Sequence, residues 1–180
     1  MADIKLYTGA NPVIELTGVK ALGTENIKSA NVATGKTLQN GMLVGYTTLT
    51  ETADLPSGAT AEVWLHASVE KLYGVQETRA DFKVEAGKGF LARLYRLRKG
   101  MEFETNAIIY DNAKFADVAA IKAAIATGVY VIPDATGLGR LTKQADLAAT
   151  SAVNYGQVKE VVTLPNGEVG IAYEIVKVVA

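Results

Sequence analysis

The sequence contains no cysteine and only one histidine, which excludes several kinds of site. Without cysteine the chain cannot form disulfides, thiolate metal sites or a cysteine nucleophile. The single histidine, His66, leaves few ways to build a catalytic triad or a metal site, and a lone histidine is typically a hydrogen-bonded structural residue. The glycine pair in Gly137-Leu138-Gly139-Arg140 leads into a strand pattern rather than a helix, which argues against a phosphate loop. We therefore expect no catalytic, cofactor-binding or metal site, and no enzyme.

The chain also lacks a charge excess and a long apolar run. Its 18 basic and 19 acidic residues give a net charge of −1, whereas a general nucleic-acid binder needs a clear basic excess. No window approaches the roughly 18 apolar residues of a membrane span. The N-terminus has neither the basic start nor the apolar run of a signal peptide. We expect synthesis in the cytoplasm of the cell that makes the protein and no direct nucleic-acid or membrane partner.

The length and composition indicate a folded protein with one core. The chain has 180 residues, of which 49% are hydrophobic and 21% charged. Residues 1–35 mix short apolar runs with glycines and show no sustained period, which favours an extended N-terminal arm that gains order on another surface. An edge strand plus loop of the same domain is the alternative. We predict a single β-rich domain over residues 36–180.

Several stretches carry clear strand and turn signals. Asn40-Gly41 predicts a turn before a strand over residues 42–48, and the polar loop 50–60 precedes a buried strand over 63–67. Residues 78–86 carry Phe82 and Val84 between charged residues and lead into the next segment.

The stretch from residue 87 to residue 110 concentrates arginine and large apolar side chains. Alternation over residues 90–97 predicts a strand, and residues 101–106 predict its half-buried hairpin partner across the turn Arg98-Lys99-Gly100. Helical spacing of the apolar residues in the first of these segments leaves a helix as the alternative.

The second half of the chain begins with the one helix that the pattern predicts. Apolar residues recur at helical spacing among the alanines of residues 113–127. Asp111, Asn112 or Asp117 can cap the start of this helix, and Gly128 suits its end.

Strand signals dominate the rest of the chain. Residues 129–132 predict a strand, which turns at Asp134-Ala135-Thr136-Gly137 and returns as a partner strand over residues 138–143. The pattern of residues 144–156 predicts neither a helix nor a strand. Alternation on both sides of Pro165-Asn166-Gly167 predicts a closing hairpin. The fold class is mainly β, a small barrel or sandwich of short antiparallel strands with one alanine-rich helix and an N-terminal arm.

Three groups of side chains are candidate sites. Glu102 and Glu104 share a strand face, as paired carboxylates of a hydrolase would, but alternation already explains them as the solvated side of a strand. A basic cluster consists of Lys88, Arg93, Arg96, Arg98 and Lys99. Solvated hairpin ends are its default interpretation and a contact to an acidic partner surface is the functional one, for which we select Arg96, Arg98 and Lys99 as partner-binding residues. Five aromatic residues could contact a carbohydrate or another ligand: Tyr7, Tyr46, Trp64, Tyr73 and Tyr155.

Four segments of the chain resemble the capsid decoration, or cement, proteins of tailed bacteriophages. They are residues 40–44, 85–103, 128–133 and 172–176, each a turn with a β-strand, and the order of elements is similar from about residue 36 to the C-terminus. The alanine-rich helix departs from that family, many members of which are a compact β-domain with a flexible arm. Head fibre bases and tail or baseplate components are built from similar parts.

The resemblance implies a non-enzymatic virion structural protein without a cofactor. Such a protein decorates and stabilises the outside of the capsid by bridging major capsid proteins, and it forms a homo-oligomer on the capsid surface. A carbohydrate- or host-surface-binding β-module is the alternative function.

Overall fold

A computed structural model describes residues 3–15, 27–68 and 83–178 of the chain. The strands and α-helices of these residues are β1 (Asp3–Lys5), β2 (Ile14–Glu15), β3 (Ile27–Val32), β4 (Thr37–Gln39), β5 (Leu43–Thr47), β6 (Thr52–Asp54), β7 (Trp64–His66), β8 (Lys83–Glu85), β9 (Ala92–Arg96), β10 (Glu102–Thr105), β11 (Ile108–Asp111), α1 (Val118–Ala124), β12 (Val129–Pro133), β13 (Gly139–Lys143), α2 (Gln144–Leu147), β14 (Tyr155–Thr163) and β15 (Val169–Lys177). The mainly β fold class is therefore confirmed.

Two β-structures make up most of the fold. Five strands close a small barrel in the order β3-β6-β5-β7-β9, and eight strands form a sheet in the order β1-β11-β13-β12-β14-β15-β10-β2. A third pair, β4 with β8, places Leu38 opposite Val84, and both side chains are fully buried.

The barrel and the sheet share walls, because two barrel strands are apolar on both faces. In β5, Val44 packs in the barrel core, whereas Leu43 packs in the core of the sheet. In β7, Trp64 and Leu65 divide between the two cores in the same way. A strand that is covered on both faces has a continuous apolar run rather than an alternating one. This double burial confirms the buried strand predicted over residues 63–67.

The eight-stranded sheet curls until its two edges approach each other. Strands β10 and β11 are the second strands from opposite edges, yet only Asn106 and Ala107 separate them in the chain. Residues 3–15, which we call the strap, run across this gap. At one side the Leu6 N–H donates to the Ile108 carbonyl at 2.9 Å, and at the other the Val13 carbonyl accepts from the Thr105 hydroxyl at 2.7 Å.

The N-terminal region corrects the predicted domain boundary near residue 36. The strap forms edge strands β1 and β2 on the sheet, and β3 over Ile27–Val32 is a wall of the closed barrel. The described part of residues 1–35 therefore lies on the chain's own domain, as the alternative interpretation had it. The physical reason is burial, since Val13 and Ile14 are only 3% and 5% exposed.

The predicted hairpin across Arg98-Lys99-Gly100 is wrong, although both of its strands are present. Strand β9 pairs with β3 and β7 in the barrel, whereas β10 pairs with β15 and β2 in the sheet. The turn carries the chain from one structure to the other, and the Gly100 N–H donates to the Ile175 carbonyl of β15 at 2.8 Å. The helical alternative for residues 89–99 is also wrong, because residues Ala92–Arg96 form β9.

The predicted alanine-rich helix is present but shorter than residues 113–127. Strand β11 is followed by a turn in which the Asp111 carbonyl accepts from the Lys114 and Phe115 N–H groups, so α1 begins only after Asp117. The Asp117 side chain accepts from the Ala120 N–H at 2.8 Å, which is the predicted cap. A second short helix, α2, lies in the uncommitted segment 144–156.

The other predicted pairings are confirmed. Strands β12 and β13 pair antiparallel across the turn at Asp134–Gly137, and β14 and β15 form the closing hairpin. The predicted turn at Asn40-Gly41 is present as well, with Gly41 at a φ of 84°.

Candidate functional site

The three predicted partner-binding residues lie together where the barrel passes into the sheet. Arg96 is the last residue of β9, and Arg98 and Lys99 lie in the turn that leads to β10. All three are exposed, whereas Leu97 between them is 6% exposed and packs inward. The buried leucine fixes the turn to the core and leaves the cations on the surface.

The other two members of the basic cluster, Lys88 and Arg93, lie before and within β9. Lys88 belongs to the turn before the strand, at the end opposite Lys99, and Arg93 lies opposite Ser29 of β3 on the barrel wall. A five-residue strand is about 15 Å long. The cluster seen in the sequence therefore separates into two surfaces in the fold.

Sequence reasoning missed a set of exposed apolar side chains on the barrel. Leu49 is 97% exposed in the turn between β5 and β6, and Phe90 and Leu91 are 56% and 52% exposed before β9. Both residues lie in the segment 90–97, for which alternation predicts a strand, whereas β9 begins only at Ala92. The available signal was the pair Gly87 and Gly89, which adopt positive φ just before these residues.

His66 lies in a buried hydrogen-bond network that connects the barrel strands β7 and β9 with residues Gln39 and Asn40. Its Nδ1 is 2.8 Å from the Gln39 carbonyl oxygen and its Nε2 is 2.9 Å from the Ser68 hydroxyl. A carbonyl oxygen can only accept, so Nδ1 carries the proton and Nε2 accepts from Ser68. Ser68 in turn accepts from the Arg93 N–H, and its own N–H donates to the Asn40 side chain.

The contact between Ser68 and His66 has the composition of a nucleophile and its base, but the network is closed to substrates. His66 is fully buried and Ser68 is 6% exposed. The second ring nitrogen of His66 contacts a backbone carbonyl rather than a carboxylate. The pair therefore fits a structural role, in which the neutral imidazole connects the Asn40-Gly41 turn to β7 and β9.

Burial also sets the protonation of this histidine. It lowers the pKa of His66 from 6.5 to about 4, because the charged imidazolium loses its hydration, while the hydrogen bond to the Gln39 carbonyl opposes the change to a smaller extent. The ring is neutral at physiological pH.

Glu102 and Glu104 lie on the outer face of β10, while Phe103 and Thr105 point into the core. This arrangement confirms the alternation predicted from the sequence. Within residues 3–15, 27–68 and 83–178, no group of three or more His, Cys, Asp or Glu side chains could hold a metal ion.

The Gly137–Arg140 segment has a packing explanation. A Cβ atom at Gly139 would lie 2.5 Å from Val131 Cγ1 and 2.9 Å from Ile108 Cδ1, so close strand contact requires glycine there. The Arg140 guanidinium binds Asp3 through two hydrogen bonds and Asp134 through a third. These carboxylates raise the pKa of Arg140 and hold the first strand of the strap.

The candidate aromatic residues have different surroundings. Tyr7 and Trp64 are 9% and 8% exposed, and Trp64 contacts Tyr46 with ring centres 5.2 Å apart. Tyr73 and Phe82 lie outside the described residues. Tyr155 lines a surface cavity of about 310 Å³ together with Gln144, Ser151 and Lys177. The Tyr155 ring is nearly perpendicular to the Tyr130 ring, with ring centres 5.7 Å apart, and the Lys177 ammonium nitrogen lies over it, 5.5 Å from its centre.

No protein-family model matches this chain, and comparisons with curated proteins and with solved structures find no match. Within the described part of the chain, no helix has both the length and the apolar character needed to cross a lipid bilayer.

Proposed function

We propose that this chain is a non-enzymatic structural protein of a bacteriophage virion that decorates the outside of the capsid and stabilises it by bridging major capsid proteins. Its partners are major capsid proteins and further copies of itself, with no cofactor and no direct contact to nucleic acid or membrane. It is made in the host cytoplasm and resides on the capsid surface. The resemblance of its turn and strand segments to decoration proteins supports this proposal.

The observation that carries the proposal furthest is the exposed basic turn between the barrel and the sheet. Arg96, Arg98 and Lys99 project from a connection that is held in place by buried Leu97, which packs in the core of the sheet, and by the hydrogen bond from the Gly100 N–H to the Ile175 carbonyl. A rigid, positively charged connection is suited to contact acidic groups of a capsid surface, and such contacts weaken as salt rises.

The test of location is electron microscopy of purified phage particles that contain this chain. We expect density for the chain on the outer face of the capsid, in contact with two or more capsid subunits. Density confined to the tail, or no association with particles, contradicts the proposal.

The test of the basic turn is cosedimentation with capsids that lack this protein, at low and high salt. The double variant Arg96→Gln/Lys99→Gln should reduce binding and its salt dependence. The matched control, Lys36→Gln/Lys122→Gln, removes the same charge from two other exposed positions and should bind like the unmodified chain. Equal binding by all three proteins would exclude the basic turn as the contact.

A second candidate function is a carbohydrate- or host-surface-binding module, such as a head fibre base or a tail or baseplate component. The cavity beside Tyr155 favours it, since an aromatic ring with nearby amide and hydroxyl groups is a common setting for ligand binding. Binding on a glycan array that Gln144→Ala abolishes and the control Gln157→Ala retains would support this alternative. Absence of glycan binding by the unmodified chain would exclude it.

A further inference from the structure

Two exposed segments flank strand β3 on the barrel wall. The turn between β5 and β6 presents Leu49 and Glu51, and residues 90–93, in which β9 begins, present Leu91 and Arg93. We call these four residues together with Phe90 the barrel patch. Leu49, Phe90 and Leu91 are the exposed large hydrophobic residues of the described part of the chain, and all three lie in this patch.

The strand register fixes how the two segments are arranged. On one side of β3 the Asn31 N–H donates to the Glu51 carbonyl at 2.9 Å, and on the other side Ala30 lies opposite Ala92. The two segments are thus separated by two strand spacings, about 10 Å. Between them β3 exposes only the small polar side chains of Ser29 and Asn31, so the surface is low between its apolar ends.

The two ends of the barrel patch carry opposite charges. Glu51 lies beside Leu49, and Arg93 lies near Leu91. Both charged side chains are exposed, and neither forms an ion pair with another described residue. Each end therefore combines an exposed leucine with an unneutralised charge, and the two charges differ in sign.

A surface with this arrangement is complementary to a second copy of itself. When two copies meet about a twofold axis over β3, Leu49 and Glu51 of one copy face Leu91 and Arg93 of the other, and the same contact repeats on the opposite side of the axis. We propose that the barrel patch is the interface of a homodimer of this chain. The net charge of −1 adds little repulsion between copies.

This dimer forms without a capsid, so its test is independent of the proposed virion function. Sedimentation velocity over a wide range of protein concentration should show a monomer–dimer equilibrium. The single variants Glu51→Arg and Arg93→Glu should each weaken the dimer about tenfold, because each places like charges opposite one another. The double variant Glu51→Arg/Arg93→Glu should restore dimerisation, because it reverses both members of the pair.

Two further variants complete the design. Leu49→Ser/Leu91→Ser should weaken the dimer at least as much as the single charge reversals, because it removes the apolar ends of the patch. Lys122→Glu makes the same charge change as Arg93→Glu at an exposed position outside the patch and should leave the dimer intact. Thermal melts of each variant establish that it is folded. Glu51 has a φ of 49°, and because glutamate and arginine adopt this backbone conformation equally readily, Glu51→Arg adds no backbone strain.

The outcomes separate clearly. Rescue by the double charge reversal supports the proposed interface. A monomer at all concentrations overturns the proposal, as does a dimer that none of the patch variants weakens. Capsid binding by a chain that remains monomeric would overturn the dimer while leaving the virion function in place.

Discussion

Acidification tests the role assigned to His66, because the structure makes its protonation costly. Folded, the ring has a pKa of about 4, whereas the ordinary value is 6.5. When a histidine pKa is lower in the folded state, the unfolded chain binds the proton first as pH falls. The free energy of unfolding is therefore highest above pH 6.5, declines between pH 6.5 and pH 4, and levels off with respect to this group below pH 4.

The magnitude follows from the two pKa values. They differ by about 2.5, and one pKa unit corresponds to about 1.4 kcal/mol, so the complete loss is about 3 kcal/mol. Between pH 7.0 and pH 5.5 the expected loss is about 1 kcal/mol, since the unfolded histidine is then mostly protonated and the folded one is not. Unperturbed carboxyl groups titrate below this interval, and the chain has no second histidine.

The assay is urea unfolding at pH 7.0, 6.25 and 5.5, with the unmodified chain and His66→Asn. The asparagine amide can still donate to the Gln39 carbonyl but does not titrate, so the variant should be less stable at pH 7.0 and nearly insensitive to pH in this interval. An NMR titration of the one imidazole gives a direct reading on the folded chain, where its signals should not move between pH 7.0 and 5.5. Titration of the folded ring near pH 6.5, or an equal loss of stability in His66→Asn, would refute the reasoning.

Three other predictions concern the strap and the tight strand contacts. Deleting residues 1–35 should prevent folding, as judged by circular dichroism, because it removes β3 from the barrel and exposes the core beneath the strap; a folded product would reinstate the predicted boundary. Gly139→Ala should lower the free energy of unfolding in urea titrations by about 1–3 kcal/mol, because its Cβ would overlap Val131. The comparison variant is Gly35→Ala, which has open space around its Cβ but a φ of 74°. It should lower the free energy of unfolding by about 1 kcal/mol. Glu168→Gln should speed hydrogen exchange at Thr8 and Gly9, because the N–H groups of both residues donate to the Glu168 carboxylate. Unchanged exchange at these two residues would mean that this contact does not hold the strap.

The carboxyl group of Glu168 also makes the free energy of unfolding depend on pH, at lower pH than His66 does in its assay. Hydrogen bonds from Thr8, Gly9 and Asn166 hold the pKa of this carboxyl below its ordinary value. Its contribution to stability is therefore complete above pH 4.5 and is lost as pH falls through the folded pKa, below the interval from pH 7.0 to pH 5.5 in which His66 is assayed.

Local patterns determined much of this fold from the sequence alone. The Asn40-Gly41 turn, the cap at Asp117, the pairing of β12 with β13 and the closing hairpin were all predictable, because each depends on residues within about 20 positions of one another. The same holds for the outward position of Glu102 and Glu104, which follows from strand alternation.

Tertiary structure decided which distant strands pair and which side chains remain exposed. The sequence around Gly100 specifies a turn, but whether a turn joins two paired strands or carries the chain between two sheets depends on partners such as β3 and β15. The apolar content of the strap is too low to predict from the sequence that the strap is buried. The surface that covers it comes from residues about 100 positions away in the chain. Long-range burial, and not local alternation, also decides that His66 contacts Gln39 and that Phe90 is exposed. These two features therefore became visible only in the folded chain.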